Sequence, residues 1–112
     1  MSLSVAVVTP SIGADTLRKC VDSVINQTHQ NVVHHIFVDG KNNLPEIQKI
    51  MQDIDPSKYR LNILDENVGK GWYGHRVYSA CSFLVNQDAI AYLDEDNWLE
   101  PNHIESETIP LL

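Results

Sequence analysis

The chain has 112 residues and a net charge of −7, from eight Lys and Arg residues against fifteen Asp and Glu residues. Hydrophobic residues make up 43% and charged residues 21%, which excludes a disordered chain and predicts a single domain over residues 1–112. Eight scattered basic residues do not form the dense basic face that a nucleic-acid or membrane-surface binder needs, so both classes are excluded.

Strands and helices alternate along the chain. Apolar runs predict buried strands at residues 4–9, 32–39, 59–64 and 89–93, the first stopped by Pro10. Helical stripes of apolar residues at 17–25, 47–54 and 77–84 predict three helices. Asp15 is a candidate N-cap of the first helix, and Pro101 is expected to open a fourth. This order predicts an α/β fold in three layers, with a mostly parallel sheet covered on both faces.

In such a sheet, ligands bind outside the carboxyl ends of the strands, and acidic residues follow three of the four strands here. The strongest candidate is Asp94-Glu95-Asp96. In an extended backbone, Asp94 and Asp96 point to one side and Glu95 to the other. Two carboxylates on one side can share a metal ion, and hard oxygen ligands favour Mg²⁺ or Mn²⁺. The alternative is a solvated acidic turn ahead of Pro101.

Three further features near this edge each have two interpretations. Asp39-Gly40 is either a simple turn or an acceptor for a nucleobase N–H or a ribose hydroxyl. Lys70, with the neighbouring His75 and Arg76, either neutralises a diphosphate or begins a solvated helix. Residues 69–74 read GKGWYG and imitate a dinucleotide fingerprint, although four residues separate them from the strand and two bulky aromatic residues stand inside.

The cellular compartment is predicted from simple signals. Cys20 and Cys81 are too few for a disulfide framework and sit in apolar helical patterns, as reduced core thiols do. There is no signal-peptide pattern and no apolar run long enough to span a membrane. A cytoplasmic location is therefore expected. His34 and His35 are adjacent in a strand, so we expect them to pack on opposite faces of the sheet.

Five short segments carry a resemblance to a known family. They read VAVVTPS at 5–11, VINQT at 24–28, IFVDG at 36–40, NVG at 67–69 and AYLDEDN at 91–97. In this order and spacing, they resemble the N-terminal, nucleotide-sugar-binding half of family 2 glycosyltransferases, which have the Rossmann-like GT-A fold. The resemblance covers nearly the whole chain, and it implies sugar transfer with inversion from a nucleotide diphosphate sugar.

The resemblance also implies roles for individual residues. Thr9, Pro10 and Ser11 would line the nucleotide, and Asp39, followed by Gly40, would contact the base. Asp94, beside Glu95, would approach the ribose or sugar and join Asp96 at a divalent metal, Mn²⁺ or Mg²⁺, on the diphosphate. The full set of expected nucleotide-sugar contacts is Thr9, Pro10, Ser11, Asp39, Gly40, Lys70, Arg76, Asp94 and Glu95. A UDP-sugar is the family-level expectation for the donor, and the acceptor is unknown.

The sequence departs from the family pattern in several places. Only one Asp precedes Gly40, Arg76 comes one residue late, and Asn97 replaces a second Asp after Asp96. The chain is also short for the family and offers no catalytic base, so it is expected to be a truncated enzyme or a donor-binding module. An exposed apolar face and a homodimer are expected in that case. The rival interpretations are a non-catalytic module, an NAD-binding domain built on residues 69–74, and a nucleotidyltransferase.

Overall fold

The computed structural model describes residues 3–68 and 86–104. In chain order the elements are β1 (Val5–Ser11), α1 (Leu17–Ile25), β2 (Val32–Asp39), α2 (Leu44–Ile50), β3 (Arg60–Leu64) and β4 (Ala89–Tyr92), with short 3-10 turns at Lys41–Asn43 and Pro56–Lys58. The four predicted strands and the first two predicted helices are therefore confirmed. The predicted helix at 77–84 lies outside the described residues.

The four strands form one sheet in the order β3-β2-β1-β4, and every neighbouring pair is parallel. Val5 of β1 is level with Val32 of β2 on one side and with Ala89 of β4 on the other. The carboxyl ends of all four strands therefore meet at one edge. The chain proceeds from β1 outwards to β3 on one side, whereas β4 lies on the other side. The crevice beyond β1 and β4 is thus the topological switch point, where open α/β sheets bind ligands.

Helix α1 packs on the sheet through the apolar stripe that the sequence predicts. Leu17 and Val21 join Ile36 and Val38 of β2 in one cluster. Its other buried residues, Cys20 and Val24, join a second cluster with Val5, Val7, Leu93 and Ile104. These β-branched strand residues fit a sheet face that is fully covered by a helix. The opposite face carries a smaller cluster, in which Val8 and Phe37 are buried.

Strand β1 is longer than the sequence predicts, because it continues through Pro10 to Ser11. The Val8 carbonyl accepts the Leu93 N–H at 3.0 Å, so the backbone groups of Val8 and Pro10 both point towards the β4 side. Pairing with β4 stops at Val8, level with Tyr92. The N–H that proline lacks therefore falls where β1 has no strand partner among the described residues, and proline is tolerated there.

Two predicted helix boundaries are also corrected. Thr16, and not Asp15, is the N-cap of α1, and no side chain caps this helix end. Helix α2 ends at Ile50, although the apolar stripe continues to Ile54. Met51 and Ile54 still pack in the core, but from a turn in which the Ile54 N–H donates to the Met51 carbonyl at 2.9 Å. Apolar spacing thus predicted the buried side chains correctly and the helix length wrongly.

Among residues 3–68 and 86–104, no helix is long and apolar enough to cross a membrane.

Candidate functional site

The loop after β1 is held by a single carboxylate from the segment after β4. Glu95 Oε1 accepts the Ser11 hydroxyl at 2.8 Å and the Ala14 N–H at 3.0 Å, and its Oε2 accepts the Ile12 N–H at 3.0 Å. The Ser11 hydroxyl accepts the remaining loop N–H, from Gly13, at 3.0 Å. The three consecutive loop N–H groups are therefore all bonded within the chain, across the switch point between β1 and β4.

Glycine is required at one position of this loop. Gly13 has a φ of +85°, a conformation that other residues rarely adopt. A Cβ at that position would also approach the Glu46 side chain to 3.2 Å. The left-handed Gly13 turns the backbone so that the N–H groups on either side of it reach one carboxylate, a concave arrangement of the kind that binds anions.

The acidic segment is a turn and not an extended strand end. Strand β4 ends at Tyr92, and the Asn97 N–H donates to the Asp94 carbonyl at 3.0 Å, which closes a four-residue turn. The expectation that strand alternation separates Glu95 from its neighbours therefore started from the wrong backbone. Glu95 is nevertheless separated from its two neighbours, because Asp94 and Asp96 are exposed while Glu95 is half-buried against the loop.

The segment after this turn is held by hydrogen bonds at the C-terminal end of α1. Buried Gln27 donates to the Glu100 carbonyl at 2.6 Å and accepts the Ile104 N–H at 3.0 Å. The Thr28 N–H donates to the Pro101 carbonyl at 2.8 Å. These contacts hold residues 100–104 against the end of α1, so the acidic turn is fixed on both of its sides.

Two aromatic side chains on either side of the acidic turn are exposed. Trp98 is 53% exposed, with the Lys19 ammonium 3.5 Å from the centre of its ring, and Tyr92 is 54% exposed. Ile12 and Ile63 are also more than half exposed. These four side chains lie on four different segments.

Thr9 is placed inside the core by the side-chain alternation of β1. It is fully buried, and its hydroxyl lies 2.8 Å from His34 Nε2 and 3.8 Å from Cys20 Sγ. Burial lowers the pKa of His34 to about 3, with a smaller contribution from neighbouring His35. Burial likewise raises the pKa of the Cys20 thiol to about 11. Both groups are therefore neutral near pH 7, and the Thr9 hydroxyl faces them and not the solvent.

The two adjacent histidines lie on opposite faces of the sheet, as predicted. His34 faces α1, whereas His35 Nε2 lies 3.0 Å from Gln87 Oε1, just before β4.

A second cluster joins the ends of β2 and β3. Asp39 is 3% exposed, and its Oδ1 accepts the Val68 N–H at 2.6 Å. The Asp39 carbonyl accepts the Asn43 side-chain amide at 3.0 Å and the Asn67 side-chain amide at 3.2 Å. Gly40 follows with a φ of +106°, and a Cβ there would lie 2.8 Å from the Asn42 side chain. Asp39 therefore organises the neighbouring loops from an almost fully buried position.

Asp88, just before β4 at the other end of the sheet, is held by backbone and hydroxyl groups. Asp88 Oδ2 accepts the Ser4 N–H and the Ser4 hydroxyl, each at 3.0 Å, and these bonds lower the pKa of Asp88. A cavity of about 270 Å³ also opens towards the amino ends of β2 and β3. Its lining residues include His29, Ser57, Lys58, Tyr59 and Arg60. Both features are remote from the carboxyl edge.

The predicted site residues divide into four groups, of which the first is Thr9 alone, buried in the core. Ser11 and Glu95 bond to each other, Asp94 and Asp96 stand exposed in the turn that holds Glu95, and Pro10 precedes Ser11 in β1. Asp39 and Gly40 form the separate cluster described above. Lys70, Arg76 and the glycines of 69–74 lie outside the described residues. Sequence reasoning assigned no role to Gln27 or Asn67, although both stand in the segments VINQT and NVG that carry the family resemblance.

The exposed carboxylates fit a divalent metal ion whose remaining coordination positions are filled by a bound ligand. Among the described residues, no group of three or more His, Cys, Asp or Glu side chains could hold a metal ion. Mg²⁺, in contrast to a metal held in an all-protein cage, takes one or two carboxylates and fills its other positions with phosphate oxygens and water. Asp94 and Asp96 match that smaller donor set.

Comparison with known proteins gives one family and one fold. The model of "Glycosyl transferase family 2" matches residues 4–107. The comparison with curated proteins found no match. Among solved structures, the chain is similar to "Crystal structure of S. aureus TarS 1-349", with a TM-score of 0.72 at 11% identity, over 94% of this chain and 31% of that chain. A longer TarS structure gives a TM-score of 0.67 at 12% identity, over 94% of this chain and 19% of that chain.

These matches confirm the expected α/β fold, because the parallel sheet with its helices is that of the GT-A, Rossmann-like TarS structures. The chain spans less than a third of the length of either TarS structure.

Proposed function

Because the chain belongs to glycosyl transferase family 2, we propose that it binds the donor, a nucleotide diphosphate sugar, for transfer of the sugar with inversion. A divalent metal, Mn²⁺ or Mg²⁺, is part of this proposal, as are a UDP-sugar donor, a separate acceptor and a cytoplasmic location. The catalytic base is not among the residues assigned here. A homodimer stays a prediction, which the mass of the chain in solution tests.

One observation carries the proposal. The exposed carboxylates of Asp94 and Asp96 stand in a turn at the switch point, beside the loop that follows β1. Open α/β sheets bind ligands in this crevice. The exposed turn leaves the two carboxylates accessible to a metal ion and to the ribose or sugar. When bound, the metal supplies charge stabilisation to the diphosphate that leaves as the bond to the sugar breaks.

The loop after β1 argues against a dinucleotide site of the usual kind. Such sites place a pyrophosphate on the N–H groups where the first strand turns into its helix. Here the N–H groups of Ile12, Gly13 and Ala14 already donate to Glu95 and Ser11. A diphosphate at this edge needs its charge neutralised elsewhere, and a metal on Asp96 meets that need. The proposed roles of Lys70 and Arg76 would add to it.

Asp39 is proposed to contact the base from the end of β2, which neighbours β1 in the sheet. Its carboxylate also accepts the Val68 N–H, so its removal disturbs the loop after β3 as well as the nucleotide. We therefore expect Asp39→Ala to weaken UDP binding with and without metal.

The test is a calorimetric titration of the chain with UDP, with and without Mn²⁺, and with GDP and NAD as comparisons. We expect Mn²⁺ to strengthen UDP binding, and Asp96→Asn to remove that gain while the circular dichroism spectrum stays unchanged. Glu100→Gln is the matched control, because it removes one exposed negative charge from the same segment. An Mn²⁺ gain that persists in Asp96→Asn, or binding of NAD alone, contradicts the proposal.

A further inference from the structure

We infer that Glu95 is a positioning residue, which locks the acidic turn to the loop after β1 and thereby fixes where Asp94 and Asp96 stand. This inference rests on the proposed function, because it explains how the proposed donor site is held in shape. It differs from the role expected from sequence, in which Glu95 contacts the nucleotide sugar directly.

The first argument is the use of both oxygens of Glu95. Oε1 accepts the Ser11 hydroxyl and the Ala14 N–H, and Oε2 accepts the Ile12 N–H, all between 2.8 and 3.0 Å. A carboxylate has about four acceptor positions, so Glu95 with three hydrogen bonds keeps only one for a ligand hydroxyl. It would also leave the buried Ser11 hydroxyl and the half-buried Ala14 N–H without this acceptor if it turned towards a ligand.

The second argument is where the lock lies. The bonds join residues 84 positions apart in sequence, from Ser11 to Glu95, across the switch point. Strand pairing between β1 and β4 ends at Val8 and Tyr92, before either loop begins. Beyond that point, the bonds of Glu95 join the two loops directly. Together with the contacts that hold residues 100–104 at the end of α1, they fix the positions of the flanking Asp94 and Asp96.

The third argument comes from general experience with metal sites. Groups that orient metal ligands without touching the metal change metal affinity about 10–100-fold when they are replaced. Glu95 stands between Asp94 and Asp96 in the same four-residue turn, so it has the most direct means of orienting both. We expect Glu95→Gln to lower Mn²⁺-dependent UDP affinity by about 10–100-fold.

The experiment separates positioning from direct contact by a double-mutant cycle. Glu95→Gln also removes a charge near the proposed metal, whereas Ser11→Ala breaks the same lock without any change in charge. Positioning predicts that Ser11→Ala lowers Mn²⁺-dependent UDP affinity in the same direction and that the double variant is no weaker than Glu95→Gln. Direct contact by Glu95 predicts instead that the losses from Ser11→Ala and Glu95→Gln add in the double variant, and additive losses overturn the inference.

Two further measurements exclude a general loss of structure. UDP affinity without Mn²⁺, which the proposal assigns in part to Asp39, should change little in Glu95→Gln. An equal loss with and without metal overturns positioning in favour of a damaged fold. Glu100→Gln again serves as the control for loss of one negative charge in this segment.

Amide exchange of the free chain tests the lock without any ligand. Exchange at Ile12 and Ala14 should be faster in Glu95→Gln than in the wild type, while exchange at Val7 in the middle of β1 stays the same. Unchanged exchange at Ile12 and Ala14 overturns the inference by itself. A different result is faster exchange in Glu95→Gln together with a wild-type chain that binds no UDP in the presence of Mn²⁺. That result overturns the proposed function, and with it the site that the lock serves.

Discussion

His34 makes the stability of this protein depend on pH between neutrality and mild acid. Its side chain is 1% exposed, and burial lowers its pKa from 6.5 to about 3. Between those two values the unfolded chain binds a proton that the folded chain does not. The free energy of unfolding therefore falls as the pH decreases from above 6.5 towards 3, and this part of the stability is fully present at higher pH.

The size of the effect follows from the two pKa values. Linkage gives a loss of about 2 kcal/mol between about pH 7.5 and about pH 5, because the unfolded histidine is almost fully protonated at the lower pH. Since small domains are stable by about 5–15 kcal/mol, this loss is readily measured. The exposed carboxylates with lowered pKa values, such as Asp53 and Asp88, contribute with the same sign but below their ordinary value of 3.8.

Urea unfolding at the two pH values measures the effect, with His34→Gln as the variant. Glutamine has no proton to take up in this range, and its amide can still reach the Thr9 hydroxyl. We expect the variant to lose about 2 kcal/mol less than the wild type between about pH 7.5 and about pH 5. The difference between the two proteins at about pH 8, where histidine is neutral in both states, measures the cost of the substitution itself. Equal losses in both proteins refute the reasoning.

Two further predictions concern buried groups on α1 and after it. Cys20 is fully buried with a pKa raised to about 11, so iodoacetamide at neutral pH should label it only after denaturation, as peptide mass spectrometry would show. Labelling of Cys20 at the rate of a free thiol in the folded chain would contradict its placement. Gln27→Ala should cost about 1–3 kcal/mol in urea unfolding, because it leaves the Ile104 N–H unpaired. The control Gln52→Ala, at an exposed position, should stay within about 0.5 kcal/mol, and equal costs would refute this role of Gln27.

Local patterns predicted most of the fold, because each strand and helix carries its own signal. Burial can be predicted from the continuous apolar run of β2 without reference to any other segment. The same holds for the helical stripe of α1, formed by Leu17, Cys20, Val21 and Val24. The same reasoning failed where a distant partner decides the backbone. Pro10 stays in β1 because β4 ends early, and the acidic segment turns after Tyr92 instead of continuing as a strand.

The candidate site was predictable in position but not in its internal bonding. Strand ends followed by acidic residues marked Asp39 and Asp94 to Asp96, since parallel strands bring their carboxyl ends to one edge. Nothing in the local sequence shows that Glu95 would accept N–H groups from a loop 84 residues away, or that Asn67 would donate to the Asp39 carbonyl. Such bonds follow from the register of the sheet, which only the assembled structure defines.

Strand β4 is short and, among residues 3–68 and 86–104, lies at one edge of the sheet, which has a consequence for how the site is lost. Strand β1 pairs over seven residues with β2, which follows it closely in the chain, but over only four with β4. Joining distant segments costs more loop-closure entropy, so this short edge pairing is the one most easily undone. When β4 separates, Glu95 leaves the loop after β1, while β1, β2 and β3 can remain a sheet. The carboxylates would thus lose their arrangement by local opening of one edge, well before the domain as a whole unfolds.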